Sequence, residues 1–263
     1  MIAAVLVLFA VVRSGPRQIL DIGTFLDQCP DRDPAFGTIA RDFEIRRNGL
    51  PVPLPSCTEP IHSLPTAQYT DELIVLQGLR VLDQMDRGIS GHLPWTPGTL
   101  YDWIRSKLGG INIVDGGGSS CCTNIGGKLF MNIAAESDSN RDFDRSWPGI
   151  AGNIDLYAHE ARHADGFPHS SCCGTPGGCD DTFDPANLSP YGIQWWLNKL
   201  WLDGTIDVGY ECLPPNEVVQ STGWFLSALS QFQGRFCTNP PPAVDPPAPA
   251  GGPCTERRRA VRH

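Results

Sequence analysis

Eleven residues constrain this chain more than any other stretch: His159-Glu160-Ala161-Arg162-His163-Ala164-Asp165-Gly166-Phe167-Pro168-His169. Two histidines four residues apart share one face of an α-helix, so the spacing predicts a helix with both imidazoles aimed at one point. Gly166 supplies the left-handed conformation that ends a helix, and Pro168 cannot continue one. The chain must reverse there, which lets His169 swing back toward the other two. Three neutral imidazole nitrogens at ~2.0–2.1 Å from zinc leave a fourth tetrahedral position open for water. Glu160 follows the first histidine and projects beside such a metal, where a carboxylate can take a proton from water and pass it to a leaving group. The full pattern arises by chance in roughly one in 10⁵ chains of this composition. Three of the six histidines fall on its three histidine positions, so reading each one as an isolated core or surface residue is the weaker explanation. His62 and His92 lie far away and are expected to be structural.

Ten cysteines supply the second constraint: Cys29, Cys57, Cys121, Cys122, Cys172, Cys173, Cys179, Cys212, Cys237 and Cys254. None forms a CxxC pair, which disfavours a zinc ribbon or a thioredoxin-like motif. An even, scattered set points to disulfides and an oxidising compartment, hence a secreted protein. A bridge from Cys121 or Cys122 to Cys172, Cys173 or Cys179 would pin the wall of a cleft to the loop after His169. Ile2 to Val12 is an unbroken apolar run of signal-peptide length, so residues 1–14 are set apart as a signal peptide or apolar segment. Residues 15–238 form the expected folded domain. Residues 239–263 begin with a Pro-rich stretch, Asn239 to Pro253, that favours extended backbone, and form the expected tail. The formal charge of −9 argues against a broad nucleic-acid surface. No apolar run reaches the ~18 residues of a membrane-spanning helix, so no stable membrane insertion is expected.

The patterning predicts an α+β domain, with several helices around a small sheet and disulfides as staples. Asp71 to Arg87 has a helical apolar face. Thr96-Pro97 signals the start of a second helix that Gly109-Gly110 ends. Ile111 to Val114 and Lys128 to Ala134 read as strands, expected to pair as a hairpin across the intervening Gly-rich loop. Helices are expected over Asn153 to Asp165 with Asn153 as cap, over Pro190 to Asp203, and from an Asn216 cap to Gln233.

The eleven-residue pattern, HExxHxxGxxH, resembles the signature of the metzincin group of zinc metallopeptidases. The resemblance implies a zincin-like catalytic domain that hydrolyses peptide bonds of a peptide or protein substrate. His159, His163 and His169 would bind Zn2+, and Glu160 would be the general base. It also implies an upstream edge strand that pairs with extended substrate, for which Lys128 to Ala134 is the candidate. One feature departs from the group: metzincins carry a methionine turn beneath the zinc, and the only methionines here are Met1, Met85 and Met131, all upstream. Ile193 or Gln194 is expected to fill that space.

Tyr191 reads either as a donor to a developing oxyanion, as a downstream tyrosine is in some metzincins, or as a packed residue at a helix start. Asp155, one turn before His159, reads either as a carboxylate that orients an imidazole or as a favourable charge in a first helical turn. Asp165 can pair with Arg162 or serve as an alternative ligand. Trp195, Trp196 and Trp201 read as core. Two other functions compete with the secreted metallopeptidase. One is an aspzincin-like or gluzincin-like peptidase whose third ligand is Asp184 or one of Glu211, Glu217 and Glu256. The other is a non-catalytic disulfide-rich secreted binding domain with a structural zinc, although such a site has no need of Glu160.

Overall fold

The computed structural model describes residues 21–58, 60–86, 93–96, 98–137, 141–170, 178–206 and 208–245. The apolar segment 1–14, His92, Pro97, Cys172, Cys173, Cys254, Glu256 and most of the Pro-rich tail lie outside the described residues. The fold is mixed α+β. Its helices are α1 (Ile22–Leu26), α2 (Phe36–Asp42), α3 (Asp71–Asp86), α4 (Leu100–Lys107), α5 (Arg141–Asp144), α6 (Trp147–Ala164), α7 (Pro190–Leu202) and α8 (Pro215–Gln233). Its strands are β1 (Glu44–Arg47), β2 (Leu50–Pro51), β3 (Gly110–Val114), β4 (Ser120–Ile125), β5 (Lys128–Ala134), β6 (Asp180–Thr182) and β7 (Phe236–Thr238).

Five strands form one sheet in the order β2-β1-β3-β5-β4. β1, β3 and β5 run parallel, while β4 runs antiparallel to β5 at the edge. The composition of each strand fits its place. β3 is a continuous buried run, as a strand covered on both faces requires, whereas β4 is polar and half-exposed, as an edge strand tolerates. Two expectations are corrected here. Ile111 to Val114 and Lys128 to Ala134 do not form a hairpin; they pair in parallel, Ile111 opposite Met131. The hairpin is β4–β5, turned at Gly126 and Gly127, both with positive φ. It follows that Lys128 to Ala134 is an interior strand with both edges taken, and Ser120–Ile125 is the free edge.

α6 is the central helix and packs against α3, α4, α7 and α8 as well as β4 and β5. Ile150, Ala151, Ile154, Tyr157, Ala158 and Ala161 bury its sides, and each is fully enclosed. It begins six residues before the expected Asn153, at Trp147 with Ser146 as N-cap and Pro148 in the first turn. The apolar run from Trp147 to Ala151 extends it, and packing overrides the weaker cap signal at Asn153. Asp155 consequently lies mid-helix, not in a first turn. α4, by contrast, starts later than expected, capped by Thr99, whose hydroxyl accepts from the Asp102 N–H at 3.1 Å. α8 starts at Pro215, so Asn216 stands inside its first turn rather than capping it.

Cys29 pairs with Cys57, tying the first helical segment to the loop after β2. Cys121 pairs with its neighbour Cys122, so neither is available for the expected bridge to the loop beyond His169. Trp195 and Trp201 are core, while Trp196 is half-buried against Trp95. Of the expected tail, Pro241 is buried and its carbonyl accepts from Gln233 at 2.8 Å. Among the described residues, no helix is long and apolar enough to cross a membrane.

Candidate metal centre and cleft

The C-terminal end of α6 makes the site possible. Gly166 has φ +92°, the Gly166 N–H donates to His163 O at 2.9 Å, and the Phe167 N–H donates to Arg162 O at 3.3 Å. These bonds satisfy the last helical carbonyls and turn the chain back. Arg162 clamps the reversal. Its guanidinium lies 3.5 Å from the Phe167 ring centroid and donates to Leu188 O at 2.7 Å, Asn187 Oδ1 at 2.6 Å and Asp165 at 2.9 Å. Asp165 also pairs with Lys107, so it is committed to two cations and turned away from the histidines.

The reversal brings His169 to the two helix histidines. His163 Nε2 lies 3.1 Å from His159 Nε2 and 3.2 Å from His169 Nε2. His163 Nδ1 donates to Phe167 O at 2.7 Å, and His169 Nδ1 donates to Asp180 Oδ1 at 3.1 Å. With the Nδ1 protons so engaged, the Nε2 lone pairs of His163 and His169 face each other, an arrangement that repels unless a cation sits between them. Nitrogens ~2.0–2.1 Å from a tetrahedral ion stand about 3.3–3.4 Å apart, close to the spacing found. His159, His163 and His169 thus form a group able to hold a metal ion. A second group, Cys29, Asp31 and Cys57, consists of a disulfide beside an exposed carboxylate and offers no thiolates.

The surroundings favour the neutral form of the two helix histidines. Burial and the neighbouring imidazoles push His159 down to about 3. His163 is also lowered, by burial first, with the Phe167 carbonyl opposing. Burial works against ionised Asp180, but the His169 imidazole and the Tyr191 N–H, 2.8 Å from Oδ2, hold its carboxyl below the ordinary range. Asp180 therefore orients the third histidine and anchors the start of α7. It opens β6 just after a Cys-rich stretch, and no motif around it signals this role. Gly178, φ +84°, permits the approach: a Cβ there would lie 2.8 Å from His169 Cβ.

Asp155 does not touch an imidazole. Its carboxylate accepts from Gln194 Nε2 at 2.8 Å and Asn198 Nδ2 at 2.9 Å, and all three side chains are buried. Burial raises its pKa to about 7 against those two hydrogen bonds. With its amide nitrogen held by Asp155, Gln194 turns its carbonyl oxygen to His159, where it favours the protonated ring. Of the two residues expected in place of the methionine turn, Gln194 lines the cavity and Ile193 is fully buried in the core.

A cavity of about 950 Å³ opens onto the three histidines. Glu160 lines it, with the Cys121 N–H of edge strand β4 hydrogen-bonded to its carboxyl and Oε2 without a partner. Burial raises Glu160 to about 7, with His169 and the Cys121 N–H opposing. Tyr191 stacks on His169, with centroids 4.4 Å apart and planes at 17°, and meets His159 edge-on at 4.9 Å. It thus packs at the helix start while also lining the cavity. Burial pushes its phenol up, and Arg235 opposes this.

Two of the competing ligands, Asp184 and Glu217, stand elsewhere. Asp184 is exposed, and its carboxylate accepts from the Ala186 N–H at 2.9 Å. Glu217 and His62 line a separate cavity of about 620 Å³. No protein-family model, curated protein or solved structure matches the chain.

Proposed function

We propose that this protein is a secreted zinc-dependent metallopeptidase that hydrolyses peptide bonds in a peptide or protein substrate. One observation carries the reading: three imidazole Nε2 atoms face a common point that opens, beside the unpartnered Oε2 of Glu160, onto a cavity of about 950 Å³. His159, His163 and His169 would hold the ion, and the all-imidazole donor set suits zinc. Bound there, zinc supplies a Lewis acid that acidifies water and polarises a carbonyl.

The chain's own groups do the rest. Glu160 takes the proton of the attacking water and returns it to the leaving amine. The Cys121 N–H holds the Glu160 carboxyl, whose Oε2 is buried with no partner of its own. Tyr191 acts as donor to the oxygen that gains charge as the carbonyl becomes tetrahedral. The free edge of β4, not β5, offers the main-chain groups against which an extended substrate aligns. The open cavity favours catalysis over a structural ion, because a structural site closes its fourth position with a protein ligand. Export is supported by the apolar run at residues 2–12 and the paired cysteines Cys29–Cys57 and Cys121–Cys122.

The test is digestion of casein by the zinc-loaded protein and by its Glu160→Gln variant. Cleavage by the first and its loss in the second, with metal content equal, is the expected result. Equal cleavage by both overturns the role of Glu160.

A further inference from the structure

We propose that the disulfide between the neighbours Cys121 and Cys122 positions Glu160, so that reducing it slows peptide hydrolysis while zinc stays bound. The inference rests on the peptidase reading and adds a means of control to its site. The bridge stands where the edge strand meets the cavity. In the β4–β5 ladder Ser120 is opposite Asn132 and Thr123 is opposite Phe130, with the register shifted between them. Cys121 and Cys122 thus share the stretch that faces Met131 alone, which makes them a bulge. A bulge interrupts a ladder and re-aims the groups it carries. Both cysteines line the cavity of about 950 Å³ and both are half-buried, so a small solute in the cleft meets the pair.

This bridge differs in kind from Cys29–Cys57. Those two cysteines are 28 positions apart, and closing such a loop lowers the entropy of the unfolded chain. Cys121 and Cys122 are adjacent, so their bridge encloses no further chain and has little of that effect. Its action is local. It joins Sγ, Cβ and Cα of both residues and the peptide bond between them into one ring. The ring restrains ψ of Cys121, φ of Cys122 and both side chains, whereas a pair of thiols leaves them free to turn. Cys122 packs against the hydrophobic core, which seats one side of the ring. The Cys121 nitrogen is bonded to a ring carbon, and its N–H is the donor that holds the Glu160 carboxyl. Glu160 is buried and its Oε2 has no partner. A main-chain donor thus restrains the general base, and the disulfide fixes the backbone from which that donor points.

The step is thiol–disulfide exchange with a thiol reductant. A reductant thiolate attacks one cysteine sulfur and the S–S bond breaks, giving a mixed disulfide and one cysteine thiolate. A second reductant thiolate displaces the other cysteine. The cysteine disulfide is reduced to two thiols, two reductant thiols are oxidised to one disulfide, and their two protons end on the cysteines. The reverse exchange, with a small disulfide as oxidant, closes the ring again. The protein is therefore slow in a reducing compartment and gains its full rate on reaching an oxidising one.

The experiment uses the full chain loaded with zinc. kcat and KM for a quenched fluorescent peptide are measured before and after treatment with a water-soluble phosphine, and again after reoxidation with oxidised glutathione. The phosphine takes oxygen from water as it becomes its oxide and leaves two thiols. Alkylation with peptide mapping identifies the cysteines opened, and native mass spectrometry gives the zinc content. The double variant Cys121→Ser/Cys122→Ser receives the same treatment. Reduction is expected to lower kcat by about 10- to 100-fold, as a misplacement of the order of 1 Å does, with KM little changed and zinc retained. Reoxidation should restore the rate. The double variant should show the lower kcat from the start and ignore the phosphine. A second readout needs no hydrolysis: hydrogen exchange of the Cys121 amide, followed by NMR on the same preparations. That amide should be protected in the oxidised protein. Its exchange should quicken by at least about 10-fold after reduction and in Glu160→Ala, the size of one hydrogen bond to a charged group.

In protein that cleaves, a kcat or a Cys121 amide that reduction leaves unchanged overturns the proposal and spares the peptidase reading. A loss confined to KM also overturns it, because the bridge would then act on substrate alignment along β4. So does a double variant that loses activity to the phosphine as wild type does, or mapping that finds Cys121 and Cys122 unbridged before treatment. Absence of cleavage together with redox-dependent exchange at the Cys121 amide overturns the peptidase reading and supports the positioning of Glu160. Absence of both overturns both.

Discussion

Two cavities of this molecule each hold a histidine beside an aspartate, and they differ in what surrounds that pair. In the cavity of about 620 Å³, His62 Nδ1 sits 2.6 Å from Asp27, but the His62 side chain is 72% exposed and, among the described residues, no second imidazole lines the space. In the cavity of about 950 Å³, His169 Nδ1 sits 3.1 Å from Asp180, whose side chain is 2% exposed, and His169 Nε2 faces a second ring. The local pairing is the same. The difference is what the other nitrogen of the ring is aimed at, and how tightly the carboxylate is itself held. A surface pair has freedom to spend on solvent, and its net contribution is small. A buried carboxylate anchored by the Tyr191 N–H fixes a tautomer and a direction.

Mutations can break this contrast, beginning with the largest effect. Glu160→Gln should lower peptide hydrolysis by ~10²–10⁴-fold while zinc content stays equal to wild type. Glu217→Gln, on the other cavity, should change hydrolysis hardly at all, and a matching loss there would erase the distinction. Asp180→Ala should weaken zinc binding by ~10–100-fold, read by competition with a chromogenic chelator, whereas Asp27→Ala should leave it unchanged. Gly178→Ala forces a positive φ on a side chain that would meet His169 Cβ at 2.8 Å. It should cost ~1–3 kcal/mol in urea unfolding and also weaken zinc binding, while Gly98→Ala, where an added Cβ meets nothing within 4 Å, serves as its control.

The smallest effect concerns pH. Asp155 is raised from 3.8 to about 7 in the folded protein. The folded state therefore holds its proton more tightly than the unfolded chain. That stabilising contribution is complete below the unfolded value near 4 and is lost as pH rises through about 7. The Tm of metal-free wild type should fall by several degrees relative to Asp155→Asn across that window. A constant difference from acid to neutral pH would show that Asp155 is not held in this way.

The sequence made the histidine cluster legible because its instructions are local. A four-residue helical spacing, a glycine that adopts positive φ and a proline that cannot continue a helix all act within eleven residues. The length of α6 was harder to read, because tertiary burial of Trp147 to Ala151 decides it. The pairing of the sheet is not legible in the sequence, for a topological reason. Strands β3 and β5 are both apolar, and pattern alone does not say whether neighbours in sequence pair directly or with another strand between their ends. β1 has a single buried apolar residue, Ile45, and gave no alternation to detect. Asp180, Gln194, Arg162 and Arg235 act through contacts made between segments distant in sequence or across a turn, and their residue types are common. Asp155 stood one turn from His159 and drew attention for that reason, yet it reaches the histidine only through Gln194, whose place is set by the packing of α7 on α6.

The central claim is that His159, His163 and His169 hold one zinc ion whose chemistry Glu160 completes. Its most direct test combines native mass spectrometry with a proteolysis assay on one preparation. One zinc per chain is expected, with loss of both metal and casein cleavage on chelation and recovery of both on adding zinc. A chain that binds no zinc, or that binds it and keeps its cleavage in the Glu160→Gln variant, would contradict it.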